Sequence, residues 1–95
     1  MDIEFGDQRM RKVVENRSKL QKKYGARMAQ KIQQRMAALE AADTMEDLLP
    51  FPGKWHQLVG DYGGCWAAHL EEPYRLIVRP EPPSTAVIVE IVNYH

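Results

Sequence analysis

Ninety-five residues with a formal net charge of zero make one small domain over 1–95, with room for a single core but not for a substrate domain beside a cofactor domain. The single cysteine rules out an intramolecular disulfide framework, so a reducing, cytoplasmic setting is expected. The opening Met1-Asp2-Ile3-Glu4-Phe5 lacks the basic-then-apolar order of a signal peptide, and no apolar run approaches membrane-spanning length, so no membrane partner is expected.

Asp2 to Phe5 alternates polar and apolar residues, the pattern of a short strand. Asp7 can cap a first helix that carries Met10, Val13, Val14, Leu20 and Tyr24 on one stripe, and Gly25 is placed to break it. A second helix is expected from about Arg27 to Ala42, with Met28, Ile32, Met36 and Leu39 as its apolar stripe. The short connection predicts an antiparallel helical pair, and both stripes read as core.

Charge is segregated along this stretch. Between Arg9 and Arg35 lie ten lysines and arginines against a single acid, Glu15, so a positive face can form on a neutral protein. Lys22, Lys23 and Arg27 lie where the two helices meet and are candidates for contact with RNA. The competing reading is a solvated helix face rich in good helix formers.

Thr44-Met45-Glu46-Asp47 predicts a short helical turn, and Pro50 with Pro52-Gly53 ends helical structure. From there the chain reads as β: Lys54–Val59, Cys65–Leu70, Tyr74–Arg79 and Ala86–Tyr94, separated by turn segments rich in Gly, Pro and acids. Short connections predict antiparallel hairpins, and the fold class is α+β, with a helical hairpin on one face of a small twisted antiparallel sheet. In the third of these strands alternation puts Tyr74, Leu76 and Val78 toward the core, and Arg75, Ile77 and Arg79 on the other face. In the last strand, Val87, Val89 and Ile91 compete with Ala86, Ile88 and Val92 for the core.

Several side chains carry two readings. An imidazole and a phenol at Tyr94-His95, where a strand stops, are suited to moving protons, against the alternative of a solvated tail. Arg75 and Arg79 form a cationic stripe, unless Arg75 pairs with Glu90 across strands. Cys65 and His69, with His56 or His95, do not make a metal motif, since neither a Cys-x-x-Cys nor a second close ligand pair is present, and no metal or other cofactor is expected. Cys65 reads as a small hydrophobe, and Trp55 and Trp66 as packing residues.

Four segments occur in order: His56-x-Leu58-x-Gly60-Asp61, Gly64-x-Trp66, Tyr74-Arg75-Leu76-Ile77 and Asn93-Tyr94-His95. Together with the element order they resemble the RelE/ParE superfamily of bacterial toxins, and within it the HigB-like plasmid-maintenance killer branch. The resemblance implies a RelE-like fold and a metal-independent, ribosome-dependent mRNA endonuclease that drives a ribose 2′-hydroxyl onto the adjacent phosphate. It makes His56 and His95 the acid/base candidates, Arg75 the phosphate-stabilising guanidinium and Tyr94 a stacking or proton-placing partner. It implies a cognate antitoxin of helix-turn-helix type, with the ribosome and mRNA as further partners and Arg79 among the RNA contacts. Two positions depart from that branch: Asn93 stands where it has an acid, and Val59 where it has a lysine. The alternative of the same fold is a protein that binds without cutting, as an antitoxin partner or a ParE-like topoisomerase inhibitor.

Overall fold

The computed structural model describes residues 1–94. The elements are β1 (Asp2–Phe5), α1 (Gln8–Val14), α2 (Arg17–Tyr24), α3 (Ala26–Ala41), β2 (His56–Gln57), β3 (Trp66–His69), β4 (Tyr74–Glu81) and β5 (Thr85–Asn93), with short 3-10 turns at Met45–Leu48 and Gly60–Tyr62. The five strands form one sheet in the order β1-β5-β4-β3-β2. The α+β class is as the sequence predicts.

The helical segment is three helices, not two. Asp7 caps α1 through a bond from the Arg9 amide at 2.7 Å, as expected. Asn16 then takes the Lys19 amide on its side chain at 3.0 Å, and this local bond starts a new helix where the sequence stripe runs on unbroken. Gly25 ends α2 with φ +85, a conformation that suits glycine. The apolar stripe settles as expected: Leu20, Met28, Ile32 and Leu39 are buried, and Met10, Val13 and Met36 pack at the margin.

The sheet corrects the expectation of a wholly antiparallel array. Pairs β2–β3, β3–β4 and β4–β5 are antiparallel, but β1 lies parallel to β5, with Ile3 beside Ala86 and Phe5 beside Ile88. The antiparallel inference rested on short connections. Most of the chain separates β1 from β5, so no hairpin constrains their direction. Strand β2 is also shorter than the predicted Lys54–Val59, because Lys54 adopts φ +48 and breaks extended geometry at its start.

One face of the sheet packs Trp66, Ala68, Leu76, Val78, Ala86 and Ile88 against the helices, and Trp55 joins the same core. The other face carries a smaller apolar group, Cys65, Ala67 and Ile77, flanked by Leu58, Tyr62, Val89 and Val92. Strand β5 uses both of its competing apolar sets. Val78 pairs with Ile88 but Ile77 pairs with Glu90, so Val89 is an extra residue and the alternation changes phase there. Ala86 and Ile88 face the helices before the bulge, and Ile91 does so after it.

Candidate functional site

The bulge decides what the helix-free face displays. Beyond it, Val92 pairs with Arg75 and Asn93 with Tyr74, so Tyr94 follows on the same side as Arg75. The Arg75 guanidinium carbon lies 5.4 Å from the centroid of the Tyr94 ring, within cation–π range. Arg75 Nη1 donates to the Tyr74 carbonyl at 2.9 Å and to Glu72 Oε2 at 3.1 Å. The arginine side chain is only 13% exposed, so its charge is weakly screened.

The Arg75–Glu90 pair considered from the sequence does not form. Register sets Glu90 opposite Ile77, and Glu90 accepts instead from the Tyr62 hydroxyl. That hydrogen bond, with burial next, raises the Tyr62 phenol above its ordinary pKa.

His56 sits opposite Ala67 in β3, on this same face, and is exposed. Its Nδ1 lies 2.8 Å from the Lys54 carbonyl, which can only accept, so this nitrogen carries the hydrogen and Nε2 is the outward one.

His69 is a member of the cluster that the four motifs did not single out. It is the register partner of Arg75, and its ring centroid is 6.0 Å from that of His56, edge to face. Its Nδ1 lies 3.2 Å from Glu72 Oε1, so one carboxylate contacts both His69 and Arg75. Burial, then the Arg75 charge, lower the His69 pKa against the opposing pull of Glu72. The hydrogen bond from Arg75 is the leading cause that lowers the Glu72 pKa. Alternation along Cys65–Leu70 with Ala68 inward could have placed His69 beside Arg75, but only once the β3–β4 register was known.

The backbone of His69 is held from both sides. Its amide donates to the Gly53 carbonyl at 2.7 Å, and its carbonyl accepts from Arg35 Nε at 2.9 Å. Arg35 is buried, and burial lowers its pKa. Gly53 makes room for it: a Cβ there would stand 2.6 Å from Arg35 Nε. Lys31, Arg35, Gly53, Lys54, His69 and Glu72 help line a shallow depression beside the imidazole of His69.

The other predicted site residues lie apart from this cluster or outside the structure's reach. Arg79 is further along β4, exposed, and contacts Glu81 at 3.4 Å. Lys22 and Lys23 close α2 and Arg27 lies in the first turn of α3, all exposed on the helical side of the molecule. His95 lies outside the described residues. Among the described residues no group of three or more His, Cys, Asp or Glu is placed to hold a metal ion.

No protein-family model matches the chain, and no curated protein matches it. Solved structures do. The YoeB–YefM complex from Staphylococcus aureus superposes with a TM-score of 0.69 at 18% identity, over 100% of this chain and 97% of that one. A YoeB/ParE toxin from Agrobacterium tumefaciens gives 0.68 at 18% identity, covering 100% of both chains. A heterotetrameric YoeB–YefM toxin–antitoxin complex from Staphylococcus aureus gives 0.65 at 20% identity, over 100% and 97%. The likeness is one of fold, and it extends from end to end.

Proposed function

We propose that this chain is the toxin of a two-component toxin–antitoxin module of the RelE/ParE type, acting as a metal-independent endonuclease on ribosome-bound mRNA. The observation that carries the reading is the placement of Arg75, Tyr94 and His56 on one helix-free sheet face, with a second imidazole 6.0 Å from the first. The toxin–antitoxin subjects of the structures that share its fold support the toxin role and a protein antitoxin as partner.

Cleavage of RNA by its own 2′-hydroxyl needs a proton acceptor, a cation against the phosphorane and a proton donor for the leaving 5′-oxygen. Arg75 supplies a fork of donors for the phosphorane oxygens. Tyr94 supplies a ring against which the guanidinium or a base can stack. His56, with its Nε2 outward, is suited to proton transfer, and the resemblance to the HigB-like branch assigns His95 the same kind of role.

The test is induced expression followed by mapping of mRNA 5′ ends, beside an Arg75→Ala control. New 5′ ends in translated frames that vanish in the control support the reading; growth arrest without them refutes it. Ribosome contact through the basic helices has its own signature, since released counterions make binding fall steeply with salt. Lys22→Glu, Lys23→Glu and Arg27→Glu together are expected to weaken ribosome association and flatten its salt dependence, with the fold intact by circular dichroism.

A second reading has one observation in its favour: Glu72 already occupies Arg75, the cation an incoming phosphate needs. On that reading the face binds a protein without cutting RNA, and expression leaves mRNA ends unchanged.

A further inference from the structure

Glu72 grips two functional groups at once, the Arg75 guanidinium at 3.1 Å and the His69 imidazole at 3.2 Å. An ionised carboxylate only accepts hydrogen bonds, so His69 Nδ1 must carry the hydrogen and Nε2 must hold the lone pair. The side chain of His69 is a quarter exposed, its backbone is clamped by Gly53 and Arg35, and its ring meets His56 edge-on. A base held in one tautomer by a carboxylate, beside a cation and a second imidazole, is the arrangement that activates a hydroxyl nucleophile.

We infer that His69 is a catalytic base of the RNA-cleaving site and that Glu72 is its positioning residue. The inference rests on the nuclease reading proposed above. His69 Nε2 takes the proton from the ribose 2′-hydroxyl as the O2′–P bond forms. Arg75 meets the charge that builds on the phosphorane. The P–O5′ bond then breaks, and His56 in its imidazolium form gives a proton to O5′. The products are a 2′,3′-cyclic phosphate and a 5′-hydroxyl, with no water consumed and no redox partner required.

The groups facing His69 are Glu72, Arg75, His56 and, through its charge, Lys54. Burial and the two cations favour the neutral imidazole, the form a base needs, while Glu72 sets its orientation. Glu72 also couples the two functions: phosphate drawn to Arg75 competes for the guanidinium, leaving more of the carboxylate for His69.

The experiment has two arms on the full chain. In the first, cleavage of a defined mRNA on purified ribosomes is followed in single turnover against pH for the wild type, His69→Gln, Glu72→Gln and His95→Ala. His69→Gln is expected to slow cleavage by about 100-fold or more and to abolish the fall in rate on the acid side. Glu72→Gln is expected to slow it by less and to move that acid limb to lower pH, since loss of the carboxylate removes the one influence that raises the His69 pKa. In the second arm, nitrogen shifts of the His69 ring report the tautomer whether or not RNA is cut, and Nδ1–H is expected. Wild-type cleavage with an unaltered rate and acid limb in His69→Gln overturns the inference and leaves the nuclease reading standing. So does an acid limb lost only in His95→Ala, or an Nε2–H tautomer. If the wild type itself does not cut, the nuclease reading fails, and the role of His69 falls with it. Melting temperatures of the variants well above the assay temperature exclude unfolding as the cause.

Discussion

The Arg75 guanidinium lies 5.4 Å from the Tyr94 ring because Val89 is an extra residue in β5. Without that bulge, alternation from the buried Ile88 would send Tyr94 to the helical side, away from Arg75. One inserted residue therefore couples a core position to the surface on which the candidate chemistry depends.

Arg75→Lys keeps the charge but loses the planar fork. If the fork meets the phosphorane, single-turnover cleavage is expected to fall by about 10²–10³-fold. Ribosome association should change little, because the proposed ribosome contacts Lys22, Lys23 and Arg27 lie on α2 and α3 and not on the strand that carries Arg75. A lysine variant with wild-type turnover would show that only net charge is needed at this position.

Tyr94→Phe and Tyr94→Ala separate the ring from the hydroxyl. The observed contact is through the ring face, a contact type worth about 0.5–1 kcal/mol at exposed sites. Phenylalanine is expected to retain most activity and alanine to lose several-fold, measured as cleavage rate. Equal losses in both would assign the role to the hydroxyl instead.

Gly53→Ala strikes the support beneath the site. The residue has φ +123, and its new Cβ would stand 2.6 Å from Arg35 Nε and 3.1 Å from the Trp55 indole nitrogen. A cost of about 1–3 kcal/mol is expected from urea unfolding. Because Arg35 and Gly53 both hold the His69 backbone, ring resonances of His69 should shift in the same variant.

Acid should weaken the fold in two steps. His69 has its folded pKa below the ordinary 6.5, so between the two values the unfolded chain binds more protons and stability drops as pH falls from 6.5 toward the folded value. Glu72 has its folded pKa below 4.5, so its contribution is present above 4.5 and is lost as pH falls through the folded value. His69→Gln is expected to flatten the upper step and Glu72→Gln the lower one, in unfolding free energies followed from pH 8 to pH 3. A stability that stays flat below pH 6.5 in the wild type would contradict the placement of His69.

Much of the fold was legible because periodicity reports on faces within one element. The stripe through Leu20, Met28, Ile32 and Leu39 named the helical core, and alternation in Tyr74–Arg79 put Leu76 and Val78 inward and Arg75 outward. The break between α1 and α2 was missed because Asn16 acts through a single local bond that leaves the hydrophobic pattern intact.

The α+β fold class, most of the elements in order and the candidacy of His56, Arg75 and Tyr94 were legible in the sequence, because they rest on local spacing or on ordered motifs. Tertiary structure alone decided the parallel pairing of β1, the phase change at Val89, the exchange of Glu90 for Glu72 as the partner of Arg75, and the arrival of His69 beside His56. Glu72 lies only three residues from Arg75, but the loss of Glu90 as its partner and the other three outcomes depend on which residue faces which across the sheet. Register is set by packing between distant segments that no window along the chain contains.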